Sequence, residues 1–359
     1  MEDDPVFLAT TTAETEPKTT DALAEQIKTE ANVPRKLKRI AARSCKWNIP
    51  RSFLGYHIDV TSQAVGNAQK WILRPETGDR NDFYIVKYPS EKWGDVETYT
   101  ELLINQLGAA FGFDMAHSGV AKLDGKLVFV TRSFLNRDEV LVHGSFLIEE
   151  HWHAKGELDN IQRSQEQEFY SVDFVLKTIE EYCGGDGPSV IDKFVEMLMF
   201  DALVGSNDRH PQNWGVIRAS KTQGGYRLAP IFDTARALLW NTSDDKLLKF
   251  QKDEQLLRNH IARAKPIVGP ERTFLKAKGT KSCNHFEFLA NLFSVLPHLK
   301  VTAVTKVPSN LDRIAASLVQ RSFPFRGAFN RLRREAILKL LSLRADELVR
   351  TLQKGGTTC

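Results

Sequence analysis

The sequence predicts an α+β chain of two unequal lobes, a small β-rich one over residues 46–135 and a larger, mostly helical one over residues 136–359. Three observations carry this. The alternating run Asp82–Tyr88 (DFYIVKY) and the apolar run Leu127–Thr131 (LVFVT) read as strands and bracket one stretch of helical spacing. Beyond residue 135 the helical period dominates. It is interrupted by one apparent hairpin, where the short runs Trp214–Ile217 and Tyr226–Ile231 flank a polar stretch ending in Gly-Gly.

Residues 1–45 fall outside both lobes. The first 31 hold eight acids against two lysines and few large apolar groups, so burial cannot offset the entropy of ordering them, and disorder is expected. Arg35 to Arg51 carries seven basic residues and no acid; a solvated helix face is the favoured reading, so direct nucleic-acid binding is not expected. A hydrophobic content of 42%, a charged content of 26% and a net charge of +4 are ordinary for a soluble globular chain and name no partner. No run approaches the ~20 apolar residues of a membrane span, and the start lacks a secretion signal. Cys45, Cys183, Cys283 and Cys359 are scattered without metal-like spacing and read as free thiols of a reducing cytoplasm.

Along the first lobe, Gly66 to Lys70 (GNAQK) precedes a short strand at Trp71–Leu73. In Asp82–Tyr88, strand parity puts Phe83, Ile85 and Lys87 on one face and Tyr84, Val86 and Tyr88 on the other. A lysine among apolar neighbours in such a strand is unusual. Asp95–Phe111 is a helix on the spacing of Val96, Tyr99, Leu103, Leu107 and Ala110, stopped by Gly112, with Glu97 and Glu101 one turn apart. Ser133, Phe134 and Leu135 follow the last strand. In the second lobe, His151 and His153 sit on an expected loop and lack the further ligand that a zinc site needs. Phe169, Val172, Leu176 and Ile179 mark a helix, CGGDGPS a loop, and Val190, Phe194, Leu198 and Ala202 a second helix ending at Gly205. Phe286–Leu296, Leu311–Val319 and a stretch from Phe329 through Leu343 read as further helices.

The chemistry concentrates between Asn207 and Asp233. Asp208 is followed five residues later by Asn213, and Asp233 closes the hairpin that begins after Asn213. A hairpin brings its ends together, so Asn213 and Asp233 become neighbours. Their oxygens suit Mg²⁺, a hard cation that takes one or two protein ligands and leaves the rest to phosphate and water. Asp208, on the loop ahead of them, is placed to accept a proton from an attacking hydroxyl.

FDALVGSNDRHPQNWGVI followed by YRLAPIFDTARAL resembles the catalytic core of HipA-like serine/threonine kinases, whose pattern is close to DRH-x-x-N followed by LAPxYD. The match is specific over residues 200–238 and extends more weakly back to about residue 55. Phosphatidylinositol kinases share the DRH-x-x-N loop, but their metal Asp usually precedes Phe-Gly or a similar pair. Here Thr234 and Ala235 follow Asp233, and Phe232 stands where the HipA pattern has Tyr.

The resemblance implies a bilobal protein-kinase-like fold, with ATP and Mg²⁺ as cofactors and a protein Ser or Thr hydroxyl as acceptor. It implies Asp208 as catalytic base and Asn213 and Asp233 as metal ligands. By the same likeness Lys87 holds the α and β phosphates, Glu101 rather than Glu97 pairs with Lys87, and Gly66, Asn67 and Lys70 of the GNAQK loop cover the phosphates. Ser133, Phe134 and Leu135 lie beside adenine. Self-phosphorylation at Thr61 or Ser62 is a further expectation, and an antitoxin or other regulatory protein an implied partner. A lipid kinase using the same residues, or a non-catalytic binding protein on a kinase scaffold, are the rival readings.

Overall fold

The computed structural model describes residues 53, 55–59, 70–79, 81–123, 126–153, 170–220, 225–269, 283–299, 311–321 and 325–353. The acidic and basic N-terminal stretches, Thr61, Ser62, Gly66 and Asn67 lie outside the described residues.

Strands β1 (Tyr56–Ile58), β2 (Lys70–Pro75), β3 (Tyr84–Lys87), β4 (Ser118–Leu123) and β5 (Lys126–Arg132) form one antiparallel sheet in the order β1-β2-β3-β5-β4. Helix α1 (Asp95–Ala110) joins β3 to β4 and packs on β4 and β5. The two-residue period of the strands sorts the side chains between two apolar clusters. Tyr84, Val86, Val128 and Val130 face Phe53 and Leu73 on one side. Val120, Leu127 and Phe129 face Leu103 and Leu107 of α1 on the other. Lys87 stands opposite Phe129 in the ladder, so parity sends its side chain to the α1 side.

After β5 the chain crosses through residues 133–138 into β6 (Glu139–His143), which pairs antiparallel with β7 (Gly215–Ala219), and β7 with β8 (Arg227–Leu228). The Asn81 amide donates to the carbonyls of Asn136 and Glu139, bracing this crossing against the β2–β3 turn.

The second lobe is helical: α2 (Gly144–His153), α3 (Val172–Cys183), α4 (Gly187–Val204), α5 (Asp244–Lys252), α6 (Glu254–Arg263), α7 (His285–Val295), α8 (Leu311–Ala316), α9 (Phe325–Ala328) and α10 (Arg331–Gln353). Its centre is α4, where Phe194, Met197, Leu198, Met199, Phe200, Leu203 and Val204 are all buried. A helix apolar on every side is one enclosed on every side, and α3, α7 and α10 surround this one. It ends at Gly205 in the left-handed region at φ 75°, which turns the chain out toward Asp208.

Two expectations are corrected. CGGDGPS is not all loop: Gly184–Asp186 is a 3₁₀ turn and Gly187 opens α4, with a proline in its first turn, where a missing N–H costs nothing. His151 is on α2, not on a loop, and its Nδ1 lies 3.0 Å from Glu181 of α3. Among the described residues no group of three or more His, Cys, Asp or Glu can hold a metal.

At the junction of the helical lobe with its sheet, Gly144 lies against Trp214, and its amide donates to the Trp214 carbonyl at 3.0 Å. A Cβ at this position would overlap the indole ring. That ring cannot yield, since it packs on Phe194 at 4.8 Å and donates through Nε1 to Tyr170. Gly144→Ala therefore destabilises the protein by ~1–3 kcal/mol, the cost of overpacking a filled core. Urea denaturation checks it, and an unchanged midpoint would show that the indole gives way.

Candidate active site

The loop between α4 and β7 is pinned from below by its own arginine. Arg209 is 2% exposed. Its Nε and Nη2 donate to the two oxygens of Asp201 on α4, each at 2.9 Å, and Nη1 donates to the carbonyls of Asn213 at 2.7 Å and Phe232 at 2.9 Å. One nitrogen thus bonds the backbone of the loop and the backbone just ahead of Asp233. Tyr170 adds a hydroxyl bond to the Arg209 carbonyl and accepts from Trp214. The Asn213 side chain donates through Nδ2 to the Asp208 carbonyl at 2.7 Å, which fixes the amide and leaves Oδ1 as the atom a cation can take.

Asp233 is the residue on which the lobes meet. Lys87 of β3 reaches its Oδ1 at 2.7 Å, and Lys70 of β2 its Oδ2 at 2.8 Å. Lys87 also lies 3.2 Å from Glu101 on α1. Glu97, one turn earlier, is instead tied to the amide and hydroxyl of Ser90. Asp233 has φ 51°, a left-handed conformation uncommon for a residue with a side chain, and the preceding Ile231 is bridged to Met115 of the first lobe.

Two ammoniums face two carboxylates here, and burial settles how the charge divides. Burial pushes Glu101 up to about 6, outweighing the pull of Lys87. Burial also opposes the charge on Asp233, but Lys87 and Lys70 together hold it well below the usual carboxylate range. For Lys87 burial acts to lower the pKa, and the two carboxylates outweigh it, so it stays charged. The shorter contact, to Asp233, is the stronger pairing, and Glu101 is the carboxylate that first takes a proton.

Asp208 is one-quarter exposed, at 24%, and meets Arg236 at 3.3 Å. Ser133 donates its amide to Phe83 at 2.8 Å, the Leu135 amide bonds the Ser133 hydroxyl, and Phe134 stacks on Phe232 with centroids 5.6 Å apart. Phe232 also takes the edge of His143, whose ring is held to the Gln212 carbonyl at 3.0 Å. These aromatic groups link the crossing segment to the loop carrying Asp208. A groove of about 440 Å³ runs along residues 132–137 with Asp82, Asp114, His117 and Pro230 on its walls. None of Lys87, Glu101, Asp208, Asn213 or Asp233 lines it. The structure thus brings Lys70, Lys87, Glu101 and Asp233 into direct contact and ties Asn213 to the Asp208 loop, while Gly66 and Asn67 lie outside the described residues. Sequence reasoning missed the roles of Asp201, Tyr170 and Arg236, although Arg209 stands inside the recognised motif.

A five-stranded antiparallel sheet with one helix, joined through residues 133–138 to a helical lobe, is a protein-kinase-like fold. The chain belongs to the family of the HipA-like C-terminal domain, whose model matches residues 61–290, more than half of the sequence. Serine/threonine-protein kinase CtkA of Helicobacter pylori (strain J99 / ATCC 700824) is 25% identical over 216 residues, 58% of this chain and 61% of that protein. The chain therefore spans less than two thirds of that relative's length. The crystal structure of the Helicobacter pylori proinflammatory kinase CtkA superposes with a TM-score of 0.65 at 20% identity, covering 84% of this chain and 98% of that one, a likeness of fold. HipA from Shewanella oneidensis MR-1, in its complex with HipB and operator DNA, gives a TM-score of 0.42 at 12% identity over 76% of this chain and 58% of that one.

Removing one member of a buried ion pair strands the other without water. Arg209→Met and Asp201→Ala are each expected to cost ~3–5 kcal/mol, and the double variant clearly less than their sum. A double-mutant cycle by urea denaturation measures this; strictly additive losses would mean that the two groups do not answer each other.

Proposed function

We propose that the protein is an ATP- and Mg²⁺-dependent kinase that transfers the γ-phosphoryl group to a Ser or Thr hydroxyl of a protein. The observation that carries this reading is the convergence on Asp233 of two lysines from the β-rich lobe, one of them buttressed by Glu101. Membership of the HipA-like family and the name of the CtkA relative support it.

The donor set fits Mg²⁺ only together with a nucleotide. Asp233 and the Oδ1 of Asn213 would be two ligands, leaving the remaining positions to phosphate and water. When bound, Mg·ATP supplies the phosphoryl group and the charge neutralisation that its oxygens need. The chain's own residues do the rest. Lys87 and Lys70 would turn from Asp233 to phosphate oxygens, so that this carboxylate could serve the metal. Glu101 keeps Lys87 in place through the exchange. Asp208 orients the acceptor hydroxyl and takes its proton. Ser133, Phe134 and Leu135 would border the adenine, and the phosphate-covering role of Gly66 and Asn67 remains what the family resemblance implies. An antitoxin or other regulatory protein as partner, self-phosphorylation, and a cytoplasmic setting belong to the same reading. Among the described residues no helix is long and apolar enough to cross a membrane.

Incubation with labelled ATP and Mg²⁺, offering the protein itself, a generic protein and lipid vesicles as acceptors, tests the proposal. Asp208→Ala and Asp233→Ala are expected to lower protein labelling ~10²–10³-fold while the chain stays folded. Undiminished label in Asp208→Ala would remove the assignment, and label on lipid alone would make the acceptor an inositol headgroup.

The Glu101 carboxyl gives a pH dependence. Its pKa is raised on folding from 4.5 to about 6, so folding favours its protonated form, and that contribution to stability fades as pH rises through about 6. The Glu101–Lys87 pair runs the other way, forming above about 6 and dissolving below it. KM for ATP should therefore climb as pH falls through about 6, and Glu101→Gln should hold KM high and flat across that window. A wild-type KM constant through it would place Glu101 outside nucleotide binding.

A further inference from the structure

The cations of the site fall into three groups by what they already hold. Every nitrogen of Arg209 is engaged by Asp201 or by the two carbonyls, and at 2% exposed the side chain is out of a ligand's reach. Lys70 and Lys87 sit on Asp233, at the metal side. Arg236 sits on Asp208, at the acceptor side, with Nε 3.3 Å and Nη1 3.5 Å from its two oxygens, and the side chain is 49% exposed.

Arg236 follows Asp233 by three residues, and the left-handed turn at Asp233 redirects the chain so that the guanidinium returns to Asp208. It is steadied from the other side. Its Cζ lies 5.9 Å over the ring of Trp240, and Trp240 meets Trp93 edge-on at 6.4 Å, just ahead of the helix that carries Glu101. The stack spans the two lobes and orients a planar fork of donors.

A long, half-exposed ion pair is worth little, so Arg236 can exchange a carboxylate for a more highly charged partner at small cost. An oxyanion carrying several negative oxygens is such a partner, and a guanidinium meets two of them at once. Any acceptor hydroxyl bonded to Asp208 lies within reach of the group that holds Asp208. Resting on the kinase reading above, we infer that Arg236 is the phosphoryl-contacting cation of the acceptor side, held on Asp208 in this structure and engaged on the γ-phosphoryl oxygens during transfer.

The acceptor oxygen forms a bond to the γ-phosphorus, and the bond from that phosphorus to the β,γ-bridging oxygen breaks with its electron pair going to ADP. The hydroxyl proton passes to the Asp208 carboxylate. Arg236 neither gives nor takes a proton; it meets the charge spread over the equatorial oxygens, the part that an arginine supplied in cis plays in other phosphoryl transfers. Its departure from Asp208 is also what leaves that carboxylate able to receive the proton.

The test compares wild type, Arg236→Ala, Arg236→Lys and Asp208→Ala. Melting temperature should be unchanged in Arg236→Ala, because a half-exposed pair adds little to stability. KM for ATP should stay within about twofold while kcat falls ~10²–10³-fold. Arg236→Lys should recover little, lacking the fork. Millimolar guanidinium should restore part of the rate to Arg236→Ala and none to Asp208→Ala. Without turnover, calorimetry with Mg·ADP and aluminium fluoride should show that Arg236→Ala loses affinity for the fluoride adduct while binding of Mg·ADP itself is kept. A kcat within about threefold of wild type, or above it, together with unaltered aluminium fluoride affinity, overturns the role of Arg236 and leaves the kinase reading standing. A wild-type chain that neither binds Mg·ATP nor transfers label ends both.

Discussion

Arg209 carries its charge where water cannot reach it, and the geometry around the site follows from how that charge is answered. Its fork spends two nitrogens on the Asp201 carboxylate, which belongs to the most enclosed helix of the second lobe. Its third donates to the carbonyls of Asn213 and Phe232. A buried guanidinium tolerates no slack, since each donor left over would cost as much as a lost hydrogen bond. The loop bearing Asp208 and the segment after β8 that leads into Asp233 are therefore fixed to the same helix, and to each other, by one side chain. The Asn213 amide repeats the device at smaller scale by bonding the Asp208 carbonyl.

Against this rigid frame the first lobe contributes groups that are charged, convergent and exchangeable. Lys70 and Lys87 come from adjacent strands, paired Lys70 to Lys87 across the β2–β3 ladder, so both project to one place without any special loop. That place is Asp233. With both lysines on Asp233 and Glu101 beside Lys87, two positive charges already face two carboxylates. A multivalent anion entering with its own cation can then replace each pairing by a stronger one: lysine to phosphate, carboxylate to metal. Preorganised charge of this kind is what phosphoryl transfer asks of a protein, because the reaction needs positioning and neutralisation more than covalent help.

What could be read from the sequence was what is local. The alternation in Asp82–Tyr88 put Lys87 on one face with Phe83 and Ile85 because strand parity has no freedom, the structure shows that this face is the α1 side, and the motif between Asp208 and Asp233 is short enough to be recognised whole. The preference for Glu101 over Glu97 rested on helix position, and the structure shows a physical difference between them: Glu97 serves the helix start through Ser90. The misses share a cause. Strand β8 has two residues, and α5 and α6 are short and largely polar, so their periods carry little signal. Gly-Pro at the start of α4 has the composition of a turn, and only its position at a helix start makes it helical. Lys70 and Asp233 stand 163 residues apart, and nothing in either neighbourhood announces that they touch.

Three arginines show how burial assigns different work to one residue type. Arg344 on α10 is 1% exposed and donates to the Ala202 carbonyl at 2.7 Å, closing the end of α4 beside Gly205. Among the described residues no carboxylate pairs with it, and burial pushes it down to about 9, so it remains charged at neutral pH and acts as a helix cap. Arg209, equally enclosed, has a carboxylate and becomes the anchor of the loop that carries Asp208. Arg236, half exposed, keeps a carboxylate that it can relinquish. Desolvation decides the difference: a buried pair cannot be broken without leaving a bare charge, whereas water takes over both halves of an exposed one. Among these three arginines the two that hold the scaffold are buried, and the one that can relinquish its carboxylate is half exposed.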